Sequence, residues 1–205
     1  MKEKKFPTIF GMILLLVILF LGVFLSTQKT SLNSQASVSC EPINPQITNL
    51  TYGSFDFSFT TPSPCSATLI INNIIYQDIS LSPTTHYYKV TNLSPKTEYK
   101  FSLVSGSSTY SWPEFSLTTA SNPNSPIPLS NLAWGKIIDK SGKAISGAIV
   151  YLTLPGSQAL SAFSNKDGNW NISLASSFNE QKNDWFSPSS VVEEEIIVYS
   201  PDGQL

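Results

Sequence analysis

The spacing of apolar positions changes character twice along these 205 residues. From Phe6 to Leu25 apolar residues follow one another almost without interruption, broken only by Pro7 and Thr8 near the start. At about 1.5 Å of rise per residue, that run is long enough to cross the hydrocarbon core of a bilayer as one helix. Beyond a polar stretch the period drops to two. Phe55, Phe57 and Phe59 alternate with small polar residues, as do Tyr88 and Val90, then Tyr99, Phe101 and Leu103, then Phe115 and Leu117. Such alternation between turn residues predicts half-buried antiparallel strands, and no stretch after Leu25 carries a helical period. The expected fold is all-β: two tandem Ig-like, Greek-key sandwiches behind a single N-terminal transmembrane helix.

Punctuation divides the chain further. Residues 1–5 hold Lys2, Lys4 and Lys5 and read as a cytoplasmic basic end; 6–25 form the anchor; 26–39 are a flexible tether. A first sandwich is expected over 40–120 and a second over 131–205. Between them, residues 121–130 contain three prolines, which withhold amide donors and favour extended backbone, predicting a short semi-rigid spacer. A third soft region, Ser176 to Ser190, reads as a long loop. The bulky Val23, Phe24 and Leu25 at the end of the apolar run lack the small residues a signal peptidase needs. The segment therefore reads as an uncleaved anchor, its lysines inside and the residues after Leu25 extracytoplasmic.

Charge excludes some classes. Charged residues make up 13% of the chain and the formal net charge is -2, so no basic surface is available to follow a phosphate backbone. Nucleic acid is not an expected partner.

Within the first sandwich, Leu93-Ser-Pro-Lys-Thr-Glu-Tyr-Lys-Phe101 resembles the tyrosine-corner signature of fibronectin type III domains. The resemblance extends over residues 41–120. Phe59-Thr-Thr-Pro62 occupies the place of the family's strand B tryptophan and following proline, and Glu114 to Thr119 resembles its last strand. It implies that Phe59, Leu93 and Pro95 belong to the core and corner, and that the Tyr99 hydroxyl ties back to backbone a few residues upstream. On this fold Cys40 precedes strand A and Cys65 follows strand B, so the two meet at one end of the sandwich. A structural disulfide is expected, with two free thiols as the alternative in a reducing setting.

The second half runs from Trp134 through Gly135, Gly142 and Gly147 to Leu152, then from Ser164 through Gly168 to Trp170. This series resembles carboxypeptidase regulatory-like domains and the B-type repeats of bacterial collagen adhesins. The resemblance implies strands at Trp134 and Trp170 and tight turns at Gly142, Gly147 and Gly168. Only Glu195 to Tyr199 is a clear strand thereafter, so the second sandwich reads as truncated, part of a longer product.

Candidate chemistry is sparse. Asn165, Asp167 and Asn169 are spaced as calcium-loop oxygens are, but the distal glutamate is missing and a hairpin turn accounts for them. His86 stands alone and reads as packing. Lys136 stands where a cross-link donor would, without a matching acceptor strand, and Tyr110 and Trp112 are sugar-stacking candidates more simply used in packing. Asn49, Asn92 and Asn171 lie in Asn-x-Ser/Thr sequons. No catalytic, cofactor-binding or metal-ligating set emerges. The expectation is a membrane-anchored, non-enzymatic stalk or adhesion protein whose partner is a surface protein or glycan. The alternative is the non-catalytic front of an exported enzyme acting on polysaccharide or peptide.

Overall fold

A computed structural model describes residues 39–80, 82–111, 115–129, 131–187 and 193–204. The basic end, the anchor at 6–25, the tether up to residue 38 and Trp112 lie outside the described residues. Among those residues there are fourteen strands and no α-helix, hence no helix long and apolar enough to cross a membrane. The fold is all-β.

Eight strands build the first half: β1 (Ile43–Thr48), β2 (Phe55–Thr60), β3 (Ala67–Ile71), β4 (Ile74–Tyr76), β5 (Thr85–Val90), β6 (Glu98–Ser105), β7 (Ser108–Tyr110) and β8 (Ser116–Thr118). One sheet has the order β1-β2-β5 and the other β4-β3-β6-β7, with β8 pairing a second stretch of β6. Between them lies an aromatic core. Phe55, Phe57, Phe59, Tyr88 and Val90 point inward from the first sheet against Leu69, Ile71, Phe101 and Leu103 from the second. The inward positions are two apart on each strand, as the pleat requires.

The second half holds β9 (Leu132–Lys136), β10 (Ile149–Thr153), β11 (Leu160–Phe163), β12 (Asn169–Ser173), β13 (Glu195–Ser200) and β14 (Gly203–Gln204). A sheet ordered β11-β10-β13-β14 faces the two-stranded β12-β9. Val150, Leu152, Leu160, Trp170 and Ile172 form its core. Two glycines are fixed by close approach. A Cβ on Gly135 would lie 2.9 Å from the Trp170 indole, and one on Gly168 (φ 77°) would collide with the Ile137 carbonyl oxygen. The region Ser176 to Ser190, read from sequence as a loop, carries Phe178 and Phe186 into buried positions. Isolated bridges from Phe178 to Trp185 and from Ser157 to Asn179 hold it in place.

The two halves belong to one compact unit. The proline-bearing stretch is tied to the second half: the Ser121 amide donates to the Lys182 carbonyl and Trp185 Nε1 to the Ser125 carbonyl. The outer face of β2 and β5 meets β10 and β11, where Ser58 bonds Tyr151 and Tyr87 bonds Ser161.

Candidate functional site

Strand β2 is buried on both faces, which an alternating strand with one solvated side would not be. Its phenylalanines enter the aromatic core while Asp56 and Ser58 enter the contact between halves. On β5 the neighbours Thr85 and Tyr87 do the same. Opposite them stand Ser161 of β11 and Tyr151 of β10, on the faces away from their own core. Polar groups withdrawn from water must find partners, and these do. The Tyr87 hydroxyl donates to Asp56 Oδ2 (2.7 Å) and lies 2.8 Å from Ser161 Oγ. Asn49 Nδ2 donates to Asp56 Oδ2 (2.7 Å) and to the Ser161 carbonyl (2.8 Å), while Asn49 Oδ1 accepts from the Ser161 amide (3.0 Å). Thr48 Oγ1 meets Ser161 Oγ at 2.5 Å, Ser58 Oγ meets the Tyr151 hydroxyl at 2.8 Å, and Thr85 donates to the Gly147 carbonyl at 2.7 Å.

This seam perturbs the acids in it. Burial raises the Asp56 pKa above the usual carboxylate value, against the lowering effects of Asn49, Tyr87 and Lys89. Burial also raises the Tyr87 phenol well above its ordinary value, with the Asp56 charge adding to it. The Tyr151 phenol is pushed up to about 12, chiefly by burial.

At one margin the seam opens into a cleft of about 630 Å³. Its walls come from both halves: Asn49, Asp56 and Lys89 from the first, Ser161, Asn169 and Asn171 from the second. Asp56 is its most informative member. Oδ2 is occupied by Asn49 and Tyr87, whereas Oδ1 makes no hydrogen bond to a described residue, and the side chain lines the cleft at 9% exposure. Lys89, paired across the strands with Asp56, is exposed beside it. Asn169 and Asn171 project outward from β12, and Asn171 pairs directly with Trp134 of β9, which is 78% exposed. Paired residues share a sheet face, so the indole stands beside Asn171 of the cleft wall, itself outside the residues that line the cleft.

A second polar chain runs through the first half. Asp78 Oδ2 lies 2.6 Å from His86 Nδ1, and His86 Nε2 lies 3.2 Å from Thr61 Oγ1. The order carboxylate, imidazole, hydroxyl is that of an activated nucleophile. Its surroundings are not. His86 is 1% exposed and stacked on Phe59, and the Thr61 hydroxyl donates to the Ser63 carbonyl (2.8 Å). The chain ties β5 to the loop before it, where Asp78 Oδ1 also accepts the Ser80 and Tyr87 amides.

The residues singled out from sequence fall as follows. Cys40 and Cys65 form the disulfide, with Cα atoms 5.8 Å apart. Phe59 is fully buried, Leu93 packs against the same core, and the Pro95 carbonyl accepts from the Thr97 hydroxyl. The Tyr99 hydroxyl accepts the Ser94 amide at 2.8 Å. Trp170 is buried; Gly142 and Gly168 sit in turns, and Gly147 precedes β10. Asn165 Oδ1 accepts the amides of Asp167 and Asn169, closing a turn, and no cluster of three metal-ligating side chains occurs among the described residues. Lys136 is exposed at the end of β9. Of the sequons, Asn49 has its amide nitrogen committed to the seam. Sequence reasoning missed the seam itself. Its only local sign was Asp56 in the middle of an aromatic strand, where a carboxylate is uncommon.

No protein-family model matches the sequence, and a search of curated proteins returns no significant match.

Proposed function

We propose that this chain is a membrane-anchored, extracytoplasmic binding module without catalytic activity, residues 6–25 serving as its anchor and the β-sandwiches as its displayed part. The cleft between the halves carries this reading. Polar groups from both halves converge on it around a carboxylate oxygen without a protein partner among the described residues, which is the arrangement of a binding site.

The likeness of residues 41–120 to fibronectin type III domains and of residues 131–205 to carboxypeptidase regulatory-like domains rests on their sequence motifs; the sandwich-like sheets are the coarser feature that both share. Both families serve as display and adhesion modules as well as enzyme accessories, so the reading rests on the site rather than on them.

Protease added to intact cells is the test. Digestion of the residues after Leu25, with an N-terminal remnant staying in the membrane fraction, is the expected result. Protection of those residues until the cells are lysed overturns the topology and the module's role with it.

A further inference from the structure

We propose that the cleft takes a neutral oligosaccharide, one sugar ring stacking on Trp134 beside the cleft wall while the next hydrogen-bond to Asn171 and Asn169 and reach Asp56 Oδ1 at the floor. The inference deepens the binding-module reading and rests on it.

Trp134, exposed to 78%, presents a large flat apolar face to water with a polar N–H at its edge. What surrounds it selects the occupant. Asn171 is its direct cross-strand partner, with Asn169 and Lys136 the next pair along. A protein surface would meet such a ring with more apolar area; here the flat apolar face is bordered by amides that both donate and accept. A sugar ring offers the complement, an apolar C–H face with hydroxyls around its edge. The cleft continues the pattern. Its volume of about 630 Å³ lies in the range of small-molecule sites, roughly 300–1,000 Å³. Its lining is rich in amide and hydroxyl groups, Asn49, Thr51, Ser54, Asn165 and Ser176 among them, with one carboxylate and one ammonium of opposite sign. That charge balance favours an uncharged, hydroxyl-rich ligand over a phosphorylated or polyanionic one.

Asp56 is the independent second observation. A carboxylate in the cleft lining at 9% exposure, with Oδ2 bonded and Oδ1 making no hydrogen bond to a described residue, has an acceptor left for a ligand hydroxyl, and a hydrogen bond to a charged acceptor is the stronger kind. The protein groups holding Oδ2 also fix the direction of Oδ1, so little side-chain entropy is lost on binding.

The full chain in a detergent without sugar headgroups is titrated calorimetrically with cellohexaose, N-acetylchitohexaose and mannohexaose. At least one binds, and Trp134→Ala weakens it about tenfold or more without moving the thermal midpoint, as loss of a stacking anchor does. Asn171→Ala weakens it too. Ile74→Ala, an exposed apolar position on β4, leaves it unchanged. Absence of binding by all three sugars, or full binding by the Trp134 variant, overturns the proposal. So does a stable dimer of this chain that buries Trp134 and binds no sugar. Exposure on intact cells, read by the protease experiment, is independent of these titrations: a displayed chain that binds no sugar loses only the ligand, whereas a shielded chain loses the module reading.

Discussion

Tyr87 donates its phenolic proton to Asp56 Oδ2 at 2.7 Å between two sheets whose cores lie on the opposite sides, and both side chains are buried. The two residues sit on neighbouring strands of the first half, yet their shared environment is completed by Ser161 of the second. The bond therefore reports on whether the halves are docked. An aspartate and a phenol facing water would gain little from each other; enclosed, each would be left unsatisfied without the other.

Tyr87→Phe removes that donor while keeping the ring. The variant is expected to lose about 1–3 kcal/mol, the cost of stranding a buried acceptor, read as a lower urea midpoint. Tyr99→Phe strands only the part-buried Ser94 amide and is expected to cost less. Equal or smaller loss at Tyr87 would mean that water reaches the seam.

Acidity should act on the seam in an unusual direction. Burial raises the Asp56 pKa, so the folded chain holds this proton more tightly than the unfolded chain, whose value is about 3.9. Between those two values the native state binds more protons, and stability from this group falls as pH rises through the folded pKa. Asn49, Tyr87 and Lys89 oppose the shift but do not reverse it. Stability measured against pH for wild type and Asp56→Asn should give a difference curve that favours wild type more at acid than at neutral pH. A flat curve, or one of opposite slope, rules the buried carboxylate out as the cause.

The Cys40–Cys65 bridge spans 25 residues and ties the segment before β1 to the loop after β2. Replacing both cysteines with serine should lower unfolding free energy by about 2–4 kcal/mol, mainly by freeing the unfolded chain. Reductant should shift the wild-type midpoint and leave the double variant unmoved. A reductant-insensitive wild type would show that the bridge contributes nothing.

Gly168 turns the chain from β11 into β12 with φ at 77°, and a methyl group there meets the Ile137 carbonyl. Gly168→Ala combines backbone strain with that collision and should cost more than about 1 kcal/mol. Because Asn169 and Asn171 follow directly, the thermal midpoint and sugar titration should both change. A neutral substitution would mean that the turn relaxes freely.

Much of the fold was legible in the sequence because period-two alternation is a local property. Phe55, Phe57 and Phe59 can share a face only as a strand, and the inward aromatic set of the first half follows from it. The region Ser176 to Ser190 was not legible. Phe178 and Phe186 lie in a run of polar and turn residues with no period, and only their contacts show that they are buried. The contacts of residues 121–130 were not legible for a related reason. Proline content sets backbone stiffness, but the bonds from Ser121 and Trp185 join residues some sixty positions apart.

By itself the sequence determined which side chains of each strand share a face, that the two apolar sets are separate, and that Cys40 and Cys65 belong to the first of them. The tertiary structure decided what the other faces meet. A polar residue pointing away from its own core reads the same whether it faces water or another sheet, so nothing local distinguishes Asp56 and Tyr87 in a seam from the same residues in solvent. Likewise an apolar residue in a strand reads as buried, and only the folded sheet shows that Trp134 lies on the outer face of β9, alternating with the part-buried Ala133 and Gly135. Hydrogen-bond complementarity across more than a hundred residues, and the exposure left once sheets have paired, arise only when the chain is folded.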